Sequence, residues 1–175
     1  MRKITLMGFF LFILLTVTKI SAQSIDYSVH ASIIFRFTKY VEWPQEKKYD
    51  NFVIGVVGDS PLIDILTKTT RNKTVGIQKI EVKQFSVTAA SFPCQILLIC
   101  EDESSRLKKI AAITNELPVL IVTEDQGLCL KGSCVNFILE DDHLKLEFNK
   151  TNILNHHLNI ASDLLSLGVI IENQK

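Results

Sequence analysis

Three runs of apolar sequence constrain this chain more than anything else in it: "NFVIGVVG" from Asn51, "CQILLIC" from Cys94 and "PVLIVTE" from Pro118. A strand with one face in water alternates apolar and polar residues, and these runs do not alternate. They read as strands buried on both faces, the mark of a parallel sheet covered by helices. The segments between them fit that arrangement. Asp59-Ser60-Pro61 supplies a cap, with proline at an early helical position, for a helix reaching about Thr70. Ser104 or Ser105 caps another to about Glu116, with Leu107, Ile110, Ala111 and Ile113 on its apolar side. "GIQKIEVKQF" carries Ile77, Ile80 and Val82 and reads as a further strand.

The pattern changes at both ends. Val29, Ile33, Phe37 and Tyr40 recur at helical spacing, with Ile34 and Val41 widening the stripe, so a helix runs from about Tyr27 to Glu42. Pro44 disfavours helical geometry at Trp43 and stops it. "CVNFILE" and "HLKLEFN" flank Glu140-Asp141-Asp142 as a hairpin, and Leu144, Leu146 and Phe148 alternate with Lys145 and Glu147, which leaves one face wet. From Lys150 the tail reads as helix, split near Asn159, with Ser162 capping a last helix through Leu165 and Leu167. The expected fold is α/β: a single domain on a mixed sheet of about six strands, a parallel core plus a C-terminal antiparallel hairpin, with helices on both faces.

The first residues stand apart. Arg2 and Lys3 precede an apolar run, Leu6 to Val17, and Ser21-Ala22 offers a small-residue cleavage site before Gln23. Residues 1–22 therefore read as a Sec signal peptide, and residues 23–175 as the exported domain. The apolar run is too short to span a membrane, which takes roughly 20 residues. The whole chain is formally neutral, and the leader holds Arg2, Lys3 and Lys19 but no acid, so the mature protein is slightly acidic. That argues against a nucleic-acid partner, which calls for a basic face.

Catalytic patterns are absent. There is no G-x-S-x-G elbow, no HExxH and no Cys-x-x-Cys. The histidines His30, His143, His156 and His157 read as surface or edge residues, so no metal and no cofactor are expected. "GVVGDSP" follows a strand and opens a helix, where anions often bind, but it lacks the G-x-G-x-x-G and Walker patterns and reads first as a capped turn. Gly58, Asp59 and the lone Trp43 are kept as ligand-binding candidates, with Trp43 read first as a plug at the end of its helix. Four cysteines suit an oxidising compartment. Cys94 and Cys100 bracket one strand, about 20 Å apart at 3.3 Å per residue, which excludes their pairing. Cys129 and Cys134 flank a loop containing Gly132 and are the expected disulfide; the rival pairs Cys100 with one of them.

The order of these features resembles the YfiR family of small periplasmic proteins. The resemblance rests on "FTKYVEWP", "FVIGVVGDSPL", "CQILLIC", "PVLIVTEDQG", "GSCVNFILEDDHLKLEFN" and "IASDLLSLG", in that order after a leader. It implies a periplasmic, non-enzymatic regulator that represses a membrane sensor, a diguanylate cyclase or similar protein, by binding its periplasmic sensing domain. It also implies a response to redox state, a homodimer and a small ligand; a plain periplasmic ligand-binding module is the alternative. Cys129 and Cys134 fall where the family has a disulfide. Cys94 matches a position that pairs with an earlier cysteine, which the mature chain lacks. The expected contact surface for the receptor is the hairpin beside that loop, with Val135, Glu140, Lys145 and Glu147 as its residues.

Overall fold

A computed structural model describes residues 26–140 and 143–172; the expected leader, the cleavage site and the hairpin turn at residues 141–142 lie outside the described residues. Its elements in chain order are α1 (Tyr27–Tyr40), β1 (Val41–Glu42), β2 (Phe52–Val57), α2 (Leu62–Thr70), β3 (Thr74–Val75), β4 (Gln78–Phe85), β5 (Ile96–Ile99), α3 (Leu107–Ile113), β6 (Leu120–Thr123), β7 (Val135–Glu140), β8 (His143–Asn149), α4 (Lys150–Asn155), β9 (Asn159–Ile160), α5 (Ser162–Leu165) and β10 (Val169–Ile171). Among the described residues, no helix is long and apolar enough to cross a membrane.

One mixed sheet runs β10-β8-β7-β6-β5-β2-β4-β3. The five strands from β4 to β7 are parallel, with Ile54 beside Ile96 and Ile96 beside Leu120 in register. Every residue of β2, β5 and β6 is buried. These are the three apolar runs, and two-sided burial is the reason they do not alternate. Gly55 in β2 lets the Phe85 ring close over the strand; a Cβ there would sit 2.7 Å from Phe85 Cε2. β7 and β8 form the expected antiparallel hairpin, with Val135 opposite Phe148 and Leu139 opposite Leu144.

The sheet has eight strands and not six, because two short strands, β3 and β10, were not separable from their neighbours by pattern; the two-residue β1 pairs with β9 outside the main sheet. β9 and β10 occupy the stretch read as helix after Asn159. β1 also takes the last residues of the expected first helix, so α1 stops at Tyr40. Its buried side is rotated from the expected stripe: His30, Ala31, Ile34, Phe37 and Thr38 face inward, while Val29 and Tyr40 are exposed. The helix expected from Ser104 begins as a 3-10 turn over Glu101–Arg106, so neither serine caps α3.

The order of the strands sets up a crevice. From β2 the chain crosses through α2 to β4 on one side; it then returns to β5 on the other side of β2 and crosses through α3 to β6. Right-handed crossovers running in opposite directions place α2 and α3 on opposite faces. The switch of direction lies between β2 and β5, and beyond their carboxyl ends the connecting loops part.

Candidate functional site

Two polar regions stand out, one in a loop beside β7 and β8 and one in that crevice. The first begins with Gly127 and Gly132, at φ of 72° and 121°, which bracket a 3-10 turn over Leu128–Lys131. The chain doubles back so that Ser133 N–H donates to Leu128 O at 3.1 Å. Cys129 and Cys134 are thereby neighbours across the loop, and each is fully buried. Two asparagines clamp it. Asn149 Nδ2 and Asn152 Nδ2 both donate to Cys129 O at 2.9 Å, and Asn152 Nδ2 also reaches Ser133 O at 2.7 Å. Asn149 Oδ1 accepts from Asn152 N and so caps α4.

A second tier of bonds ties the loop to the hairpin. Thr123 Oγ1 lies 2.9 Å from Ser133 Oγ and 2.8 Å from Asn136 Oδ1. Asn136 Nδ2 donates to Asp125 O and to the Glu147 carboxylate at 2.9 Å. Cys129 Sγ lies 3.7 Å from Glu147 O. Thr123, Ser133, Asn136 and Asn149 are all buried, and all are partnered. Such networks fix one arrangement, since any break leaves an unpaired group in a low dielectric.

All four cysteines are free and buried in this structure. Burial pushes the Cys134 thiol up to about 12, and lifts Cys129 further, with the Glu147 carboxylate and Cys134 adding to the effect. Cys94 and Cys100, also raised to about 12 by burial, sit at opposite ends of β5, which agrees with the argument against their pairing. Cys100 follows β5 while Cys134 opens β7, with β6 between them. Two strand spacings are about 10 Å, beyond the roughly 7 Å a disulfide spans.

The expected contact residues divide. Glu140 and Lys145 are exposed on the hairpin and pair with each other. Glu147 is half-buried and engaged by Asn136. Val135, at 0% exposure, roots the hairpin in the core and cannot touch a partner directly.

The crevice beyond β2, β5 and β6 has a volume of about 450 Å³ and is lined by Tyr27, Asp59, Ser60, Cys100, Asp102 and Glu124, with Glu101 beside them. Each acid comes from the first residues after a parallel strand. Desolvation, then the Glu101 and Asp102 charges, push the Glu124 carboxyl up to about 7. Its Oε1 is buried with no hydrogen-bond partner. The Gly58 turn, at φ 105°, is filled from within: a Cβ would lie 2.5 Å from Asp102 Oδ1, and Asp59 N–H faces Asp102 Oδ2 at 3.4 Å. A carboxylate of the chain itself thus stands where an anion would bind, which favours the capped-turn reading. Ser60 Oγ accepts from Leu62 N at the start of α2.

Trp43 lies at the other end of the sheet, so the three ligand candidates do not converge. It is 6% exposed, its indole N–H donates to Gln95 O at 3.2 Å, and its ring meets Phe52 edge-on at 5.0 Å. It plugs the core while one side borders a cavity of about 360 Å³ with Val41, Phe52 and Val75. Two of the four histidines depart from expectation, while His143 and His157 are exposed as expected. His30 is buried between Tyr27 and Phe137, and His156 is buried with Nδ1 2.8 Å from Leu117 O. Burial lowers the affinity of both for a proton. Among the described residues no group of acids, histidines and cysteines is placed to hold a metal ion.

Sequence reading missed the asparagine clamp and the Thr123 network. A polar Asn136 inside the apolar "CVNFILE" was the visible signal for the second.

A mixed α/β domain with a clamped thiol loop and an exposed hairpin is the class of protein this fold defines, in keeping with the α/β fold expected from the sequence. The comparison with protein families agrees: residues 27–169 match the family described as YfiR/HmsC-like, and the chain belongs to that family. It is a regulatory, non-catalytic family of periplasmic proteins acting in cyclic di-GMP signalling. No curated protein matches the chain.

Proposed function

We propose that this protein is exported by its leader and represses a membrane sensor, a diguanylate cyclase or similar protein, by occupying the sensor's periplasmic domain. Family membership over residues 27–169 is the observation that carries the reading. Repression by occupancy is a population shift: the bound form of the sensor is the restrained one, and losing the contact releases it.

The hairpin β7–β8 is the contact surface in this reading. Glu140 and Lys145 supply an exposed charge pair, and the buried network behind them holds the hairpin rigid, so little ordering cost attends binding. Cys129 and Cys134 form the disulfide in the oxidising compartment. Buried thiols held far above neutrality are poor nucleophiles, so the bridge closes while the chain folds and reopens only when the loop opens. Closing so short a loop stabilises by about 2 kcal/mol in the chain-entropy model. Because Cys129 touches Glu147 of β8, the state of the loop reaches the hairpin.

The test is capture from membranes of the producing cell, with wild type beside a Cys129→Ser/Cys134→Ser variant. Wild type is expected to retain a sensor protein with a periplasmic domain, and the variant to retain less of it. Recovery of no membrane sensor by the wild type would sink the reading.

A further inference from the structure

Charge is divided between the two ends of the sheet. α1 begins at Tyr27, which lines the acidic crevice with Asp59, Asp102 and Glu124. Its 14 residues carry the chain about 21 Å, at 1.5 Å per residue, to the opposite end, where Trp43 meets Gln95 ahead of β5. α2 leaves the same crevice just after Ser60 and runs in the same direction, because it connects two parallel strands. Both helices therefore end together, and there the sign of the charge reverses. Arg36 and Lys39 stand on the exposed side of α1, Lys68 lies in the last turn of α2, and Arg71 and Lys73 follow it; all five are exposed. No basic run announces this in the sequence, because two separate segments supply it.

The Phe35 ring gathers two of these charges. Lys73 Nζ lies 4.1 Å from its centroid and Lys39 Nζ 5.1 Å. The two distances together hold the ammonium groups within about 9 Å of each other, close to one Debye length at physiological salt, so they repel. Among the described residues, neither these lysines nor Arg36, Lys68 or Arg71 forms an ion pair with an acid. The ring attracts each cation but leaves its charge unneutralised. Bases near helix C-termini complement the helix dipoles. That alone does not call for two ammonium groups, drawn from separate elements, on one ring.

We propose that this end of the molecule rests on an anionic phospholipid surface, with Arg36, Lys39, Arg71 and Lys73 against the headgroup phosphates. Each basic residue near such a surface strengthens binding about fivefold, and dispersed charges can share one lipid layer without a common pocket. Tyr40, 39% exposed, follows Arg36 by about one helical turn, so a half-exposed aromatic ring with a polar tip stands among the bases. Residues of that kind settle at the lipid–water boundary. An acidic protein partner would answer the charge without giving the tyrosine a boundary to occupy. The acidic crevice lies the length of α1 away, so the field of the molecule turns its basic end to the lipid and keeps its carboxylates off it. A formally neutral chain thereby adheres by orientation and not by net charge.

Flotation of the purified exported protein with lipid vesicles tests this, with circular dichroism to confirm that each variant is folded. Wild type is expected to float with vesicles of phosphatidylcholine mixed with phosphatidylglycerol, to be released as salt is raised, and not to bind phosphatidylcholine alone. Lys39→Gln/Lys73→Gln should bind the mixed vesicles about 25-fold more weakly, the product of two fivefold losses. Lys108→Gln/Lys109→Gln removes the same charge from exposed positions of α3, on the opposite face of the sheet, and should bind like wild type. A wild type that binds neither kind of vesicle or both alike, binding indifferent to salt, or equal losses in the two variants would overturn the proposal. If Lys39→Gln/Lys73→Gln floats like wild type but captures less of a membrane sensor, the basic end serves the receptor and lipid docking is wrong. The vesicles hold no sensor, so repression can stand if docking fails.

Discussion

The two polar regions of this molecule make opposite use of burial. Around Cys129 and Cys134, each buried side-chain amide and hydroxyl described above finds a partner. In the crevice beyond β2 and β5, carboxylates gather without a cation among the causes acting on Glu124, and its Oε1 has no partner. The first region is fixed, and it ties Cys129 to Glu147 of the hairpin. The second is held at a cost that varies with pH.

The largest expected effect comes from breaking the fixed region. Asn149→Ala removes one of the two bonds to Cys129 O and the cap of α4 from a buried site, leaving the Asn152 N–H without its acceptor and the Cys129 carbonyl held by Asn152 alone. It should cost about 3 kcal/mol in chemical denaturation. A loss under about 1 kcal/mol would mean the clamp is not what holds the loop.

Glu124→Gln should do the reverse. A carboxyl raised in the folded state from its ordinary 4.5 to about 7 binds more protons folded than unfolded in that window. Stability therefore falls as pH climbs from about 4.5 to 7 and stays lowered above it. The glutamine variant should be more stable than wild type at pH 8, by about 2 kcal/mol after allowance for partial exposure. The gain should vanish below pH 4.5. A gain independent of pH would show that packing, and not charge, is responsible.

Thr123→Val comes next, at about 1–2 kcal/mol, because it keeps the shape and leaves Asn136 Oδ1 short of a donor. The smallest effect on stability belongs to Glu140→Lys on the exposed hairpin, within about 0.5 kcal/mol by thermal denaturation. That variant sharpens the comparison, since any loss of receptor capture must then come from the surface.

Legibility in the sequence followed the same division. The parallel core was readable because burial on two faces forces apolar runs, and β7–β8 because one wet face forces alternation. β1, β9 and β10 were not, since two or three residues carry no period and their pairing, such as Val41 with Ile160, is decided by tertiary contact. The loop around Gly132 was visible, whereas its clamp depends on Asn149 and Asn152 arriving from another element. The crevice had a signal that went unused: acids follow three successive buried strands, at Asp59, Glu101 and Glu124.

The central claim is repression, and the most direct measurement is cellular cyclic di-GMP with and without this gene, with complementation by wild type and by a Glu140→Lys/Lys145→Glu variant. The account predicts that deletion raises the nucleotide severalfold, that wild type restores the low level, and that the hairpin variant, folded and exported, does not. An unchanged level on deletion, or full restoration by the hairpin variant, would contradict it.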